Sequence, residues 1–133
     1  LILVDSSVWI DYFNGVVTPQ TDKLHSLLGR EMLSVGDLML TEVLQGFARD
    51  KDFRAAQQLL AAFHVVELGG EEPAIQAARN YRKLRSHGFT VRKTIDSLIA
   101  TTCLAGNWQL LHSDRDFDGF SKHLGLKVVD CEP

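Results

Sequence analysis

The chain has 133 residues, 45% of them hydrophobic, which suits a single domain, residues 1–133, built around one core. No apolar run is long enough to span a bilayer, nothing at the start reads as a secretory signal, and the two cysteines, Cys103 and Cys131, form no C-x-x-C pair. A cytoplasmic protein without a disulfide framework or membrane span is expected. A net charge of −3 argues against a general nucleic-acid binder, but the charge is unevenly spread: six basic residues and no acid lie between Pro73 and Ile95, while the other 8 basic residues stand against all 17 acids.

The opening "LILVD" is a short apolar run ending in an acid and reads as a buried strand. Ser6 and Ser7 are good N-cap residues for a helix that carries Trp9, Tyr12 and Phe13 on one face and stops at Gly15. A second helix is expected around Gln20 to Leu28 and a second strand at "MLSV", Met32 to Val35. Gly36 or Asp37 then caps a helix through Phe47, striped by Leu40, Val43, Leu44 and Phe47. From Asp52 to His64 the spacing predicts a helix with Phe53, Ala56, Leu59, Leu60 and Phe63 facing inward, followed by a third strand at "VVEL". A long helix runs from Glu71 to His87 and closes at Gly88. Thr94 caps the next, whose buried stripe is Ile95, Leu98, Ile99 and Thr102. "WQLLHSD" gives a strand ending near Asp114, then a short helix, and "LKVVD" gives a last strand. Strands alternating with helices favour an α/β domain with a mostly parallel sheet.

In such sheets, sites lie beyond the carboxyl ends of the strands. Asp5 and Asp114 stand at such ends, Asp116 follows two residues on, Asp96 sits in the first turn of a helix, and Glu42 lies mid-helix in "LTEVLQGF". Singly, each acid reads as a cap, a dipole partner or a solvated helix residue. Together they would repel by roughly 4 kcal/mol per close pair at an effective dielectric near 20. Protonation, a basic partner or a hard divalent cation is needed to compensate. An all-oxygen set suits Mg²⁺ or Mn²⁺, and no close His pair or Cys/His cluster offers a zinc site.

Four segments, "LILVDSSVWIDYF", "LTEVLQGF", "GFTVRKTIDSLIA" and "LLHSDRDFDGF", in this order resemble the PIN-domain ribonucleases, specifically the VapC toxins of bacterial toxin–antitoxin pairs. The resemblance spans nearly the whole chain. It implies a PIN-like three-layer fold, a small mostly parallel sheet flanked by helices. It also implies Mg²⁺-dependent endoribonuclease activity (with Mn²⁺ as the other candidate ion), a homodimer, and a VapB-type antitoxin that covers the acidic pocket in a heterotetramer or larger assembly. Residue by residue, Asp5 and Asp96 match the principal metal ligands. Glu42 matches the helix glutamate, and Asp114 the acid of the final motif, which is expected to join the metal site. Asp116, Ser6 and Ser113 are additional candidates, with Ser6 or Ser7 at the hydroxyl position that follows the first Asp. His112 and Ser113 stand where members often carry Thr.

The basic residues Arg79, Arg82, Lys83, Arg85, Arg92 and Lys93 would attract RNA beside an acidic pocket, or simply form a solvated helix face. The Asp96 helix end is expected to favour the ionised carboxylate. Trp9, Phe13, Trp108 and Cys103 read as core, and Met39 and Phe47 as a dimer or antitoxin surface. Two alternatives carry different expectations: a non-catalytic PIN-like module for RNA or partner contact, and an aspartyl-phosphate enzyme. The second would want D-x-D after the first strand, where Ser7 stands instead.

Overall fold

The computed structural model describes residues 1–131. Five strands form one sheet in the order β3-β2-β1-β4-β5, and every neighbouring pair is parallel. The strands are β1 (Ile2–Val4), β2 (Leu33–Gly36), β3 (His64–Val66), β4 (Gln109–Leu111) and β5 (Lys127–Val128). The expected α/β class is therefore found with a wholly parallel sheet. Between the strands run α1 (Ser6–Phe13), α2 (Pro19–Leu27), α3 (Asp37–Leu44), α4 (Asp50–Leu60), α5 (Glu71–Ser86) and α6 (Thr94–Gly106). A 3-10 turn at Arg115–Phe117 and α7 (Asp118–Leu124) complete the chain before β5.

Sequential strands step outward from β1 to β3, and the chain then crosses back to lay β4 on the other side of β1. Right-handed crossovers put helices made on the outward and return steps on opposite faces of the sheet. The helix contacts agree: α1 packs on α2 and α3, and α3 on α4, whereas α5 packs on α6 and α7. The result is three layers with a topological switch point between β1 and β4. β1 is buried along its whole length, as an apolar run between two helical layers must be.

The core beneath α1 is aromatic. Trp9 is fully buried, stacks on Phe13 at 6.0 Å and meets Phe63 at 5.4 Å. On the other face the buried Asn80 amide donates to Thr101 Oγ1 at 2.9 Å, a polar bond that fixes how α5 lies on α6. Trp108 is half-buried against the core, and Cys103 is fully buried, as their sequence context indicates.

Several local expectations are corrected. Asp5, not Ser6 or Ser7, caps α1, accepting the Ser7 N–H. Lys93 occupies the N-cap position of α6 and makes no side-chain cap bond, so Thr94 is the first helical residue. The buried face of α6 is also rotated from the predicted stripe: Asp96, Ser97, Ile99, Ala100, Thr101 and Cys103 are buried, and Ile95, Leu98 and Thr102 only partly so. Small and polar side chains fill this interface, which a hydrophobicity pattern cannot register. α3 stops at Leu44, short of Phe47. α4 begins at Asp50 and ends at Leu60, so Phe63 lies beyond it and His64 opens β3. Only Ala56 and Leu60 of the α4 stripe are buried, whereas Phe53 and Leu59 are 36% and 39% exposed. Met39, expected on a partner surface, is fully buried, and Phe47 packs partly buried against the core. Among the described residues, no helix is long and apolar enough to cross a membrane.

Candidate metal centre

The carboxyl ends of β1 and β4 lie side by side, because Leu3 pairs with Leu110 and Val4 with Leu111. The Asp5 N–H donates to the Leu111 carbonyl at 2.9 Å, which ties the first residue after β1 to the last residue of β4. Two loops therefore leave the sheet at one point. The first gives Asp5, Ser6 and Ser7, and the second gives His112, Ser113 and Asp114. Ser7 joins them: its hydroxyl donates to Asp5 Oδ2 at 2.6 Å and accepts the Ser113 N–H at 3.4 Å. Of the candidate serines, Ser113 thus contributes its backbone here. Ser6 points to α3 and donates to Glu42 Oε1 at 3.0 Å, which brings the helix glutamate to the same loop.

The first turn of α6 supplies Asp96. One carboxylate oxygen from each of Asp96, Asp114 and Asp116 lies within 4.8 Å of the others, a spacing that one cation could span. Asp5 is not among these three but lies close enough for its charge to act on Asp96. The structure thus gathers Asp5, Glu42, Asp96 and Asp114 around one switch point and brings Asp116 into the cluster with Asp96 and Asp114.

Burial sets the electrostatics. Asp5 is 4% exposed and Asp96 3%. Desolvation pushes the Asp5 carboxyl above its ordinary value against the lowering effect of the Ser7 bonds. Desolvation also raises Asp96, from 3.8 to about 7, assisted by the Asp5 charge and opposed by Lys93. The expectation that the α6 N-terminus would favour the ionised form is therefore overturned. A helix end supplies about half a unit charge, and here burial and a neighbouring carboxylate outweigh it.

Asp96 Oδ2 is buried and has no hydrogen-bond partner. A buried, unpaired carboxylate oxygen facing other carboxylates is costly unless a proton or cation meets it. The donor set is all oxygen, so a hard divalent ion fits these residues and a thiophilic one does not.

Two cations of the chain already answer part of the negative charge. The Arg92 guanidinium grips Asp116 through Nε and Nη2, with contacts of 3.0 to 3.3 Å. Lys93 Nζ lies 3.7 Å from Asp114 Oδ2. The Asp114 carboxylate in turn accepts the Asp116 N–H at 2.9 Å, which sets the 3-10 turn. The other basic candidates, Arg79, Arg82, Lys83 and Arg85, are exposed along α5, where Arg85 sits over the Tyr81 ring at 5.6 Å.

Sequence reasoning missed two participants. His112 accepts the Asp114 N–H at Nδ1, 3.1 Å, and packs on Phe117, so a half-buried imidazole walls the site. Burial lowers its pKa, partly offset by Asp5, which suits the neutral ring that accepts this bond. The second is a role rather than a residue: Ser6 or Ser7 is the hydroxyl expected after the first Asp, and it is Ser7 that bridges the two strand ends. Cys103 faces the same charge: burial and Asp5 push its thiol to about 12, which makes it an unreactive core residue.

Comparison with known proteins gives a consistent result. Residues 2–122 match the model of the PIN domain. The chain is 30% identical over 129 residues to the ribonuclease VapC1 of Methanocaldococcus jannaschii, covering 97% of this chain and 87% of that protein. It is 26% identical over 131 residues to the ribonuclease VapC11 of Mycobacterium tuberculosis, covering 97% and 98%. Among solved structures, a toxin–antitoxin complex from Klebsiella pneumoniae contains a chain that superposes with a TM-score of 0.69 at 16% identity, covering 99% of this chain and 98% of that one.

Proposed function

The chain belongs to the PIN-domain family, and on that premise we propose that it is the ribonuclease toxin of a VapBC-type toxin–antitoxin pair. The observation that carries this reading is the carboxylate set at the β1–β4 switch point, which includes Asp96 with a buried oxygen left unpaired. The names of the relatives support the activity, and the toxin–antitoxin complex among the structural neighbours supports a protein antitoxin as partner.

Asp96, Asp114 and Asp116 would hold a divalent cation, Mg²⁺ or Mn²⁺, with Asp5 completing the site from the buried side. The bound ion would supply a polarised phosphoryl oxygen and an acidified water. Asp5 is held in one orientation by the two Ser7 bonds to its Oδ2, which spares it a rotamer search. Glu42, held by Ser6, can accept a proton from an attacking water. Arg92 and Lys93 flank the cluster, paired with Asp116 and Asp114, and would supply the positive charge that attracts backbone phosphates. Attack by water leaves a 5′-phosphate and a 3′-hydroxyl.

The test is incubation of single-stranded RNA with chain freed of any antitoxin. Cleavage that requires Mg²⁺ or Mn²⁺ and yields 5′-phosphate ends is expected; 2′,3′-cyclic phosphate ends, or cleavage that survives chelation, would remove the mechanism. Within the same assay, Glu42→Gln keeps an acceptor for Ser6 but loses the charge, and kcat is expected to fall about 10–100-fold. Ser6→Ala, which removes only the orienting bond, is expected to cost less than about tenfold.

A further inference from the structure

Lys93 stands at the N-cap of α6, three positions before Asp96, with its side chain 58% exposed and its ammonium 3.7 Å from Asp114 Oδ2. It is more than the partner of one acid. Its charge is stabilised first by Asp96, then by Asp114, Glu42 and Asp5. The ammonium thus pairs with Asp114 and feels the charges of Asp96, Glu42 and Asp5, and one of these acids, Asp96, carries the unpaired buried oxygen. Arg92 is held differently. Its fork closes on Asp116 through two nitrogens, outside the Asp5–Asp96 pair.

We propose that Lys93 and the divalent cation compete for the same carboxylates, and that cation binding releases Lys93 to hold a phosphate of the RNA strand. This deepens, and rests on, the nuclease reading. An ion bridging Asp96 and Asp114 would sit beside the ammonium, and two cations sharing one carboxylate repel strongly at such range. Of the two, the lysine is the one able to leave, because a four-carbon stem more than half in solvent carries a single charge on a freely turning end. Once released it remains next to the cluster with no carboxylate partner, where a phosphate oxygen is the complementary group. Lys93 is therefore a positioning residue that makes metal and RNA binding mutually reinforcing, since linkage requires each to strengthen the other by the same factor.

The experiment compares the whole chain, freed of antitoxin, with Lys93→Met and, as control, Lys127→Met at the opposite end of the sheet. Mn²⁺ affinity is read by titration calorimetry. Binding of a fluorescent single-stranded RNA is read by anisotropy with and without Ca²⁺, a larger ion that accepts oxygen ligands in looser geometry. Lys93→Met is expected to bind Mn²⁺ roughly five- to tenfold more tightly, with Lys127→Met unchanged. In the native chain Ca²⁺ is expected to tighten RNA binding several-fold, and in Lys93→Met this enhancement is expected to vanish. Unchanged Mn²⁺ affinity in Lys93→Met would overturn the proposal. So would an equal loss of RNA affinity with and without Ca²⁺, which marks a lysine that only adds background attraction. The calorimetry does not depend on RNA: a native chain that binds Mn²⁺ but never RNA would defeat the nuclease reading while the competition result stood by itself.

Discussion

Asp96→Asn is expected to make the metal-free protein more stable and the enzyme inactive in one step. The folded chain holds the Asp96 carboxyl at about 7 against an ordinary 3.8. An acid whose pKa is raised by folding contributes no penalty while both states are protonated, below about pH 4. The penalty grows as pH rises through the window from 3.8 to about 7 and is complete above it. A shift of this size corresponds to a few kcal/mol, on the order of 2–4, part of it belonging to the repulsion with Asp5. Metal-free native protein should therefore lose thermal stability between pH 4 and pH 8, and the amide variant should lose less. At pH 8 the variant's melting point should stand several degrees higher. RNA cleavage should fall by roughly 10²–10³-fold or more, because the proposed metal ligand loses its charge. Melting curves with a chelator at several pH values, paired with a cleavage assay, read both effects. A variant less stable than the native chain at pH 8 would show that the carboxylate is not under electrostatic stress. The same stress predicts that cation binding expels protons at pH 6 and fewer at pH 8, visible as buffer-dependent heats.

Asp5 is expected to separate two roles by two substitutions. Its carboxylate is both a site acid and the N-cap of α1, accepting the Ser7 N–H at 3.2 Å. Asn is as good a cap as Asp, whereas Ala is not, a difference worth about 0.5–2 kcal/mol. Both Asp5→Asn and Asp5→Ala should lose cleavage by roughly 10²–10³-fold. Only Asp5→Ala should also lose the cap and the anchor for Ser7, through which the strand-end loops are tied. Denaturant unfolding should rank Asp5→Asn above Asp5→Ala by about 1–2 kcal/mol. Equal stabilities would mean that the Ser7 bonds contribute little to the fold.

The elements of this chain could be read where apolar runs were long and punctuated. β1 was marked by "LILV" before an acid, and α5 by sixteen regular residues closed by Gly88, whose φ of +83° a side chain would resist. The acids could be read as a set because four of them fall at strand ends and helix starts. What stayed hidden was governed by tertiary contact. The rotation of α6 depends on Asn80 meeting Thr101 across a helix interface, which no periodicity encodes. The grip of Arg92 on Asp116 spans 24 positions, so neither residue signals the other in sequence. The ionisation of Asp96 was misjudged because a local cue, the helix end, was visible and the non-local ones, burial and Asp5, were not. Phe53 and Leu59 look like core on spacing alone, but among the described residues they stay 36% and 39% exposed on α4.

The pairing of β1 with β4 also sets when in the life of a molecule its acids first meet. The Ser7–Ser113 bond joins residues 106 positions apart, and β1 has no partner on its β4 side until that late strand exists. A chain synthesised from its N-terminus can build β1, β2 and β3 with their helices well before residue 109 is made. During that interval Asp5 and Glu42 are present without Asp96 in place or Asp114 in existence. The order of synthesis thus acts as a clock: the carboxylate cluster can assemble only after β4 and the loop that carries Asp114 have been made, and, under the toxin reading, that delay gives an antitoxin time to arrive.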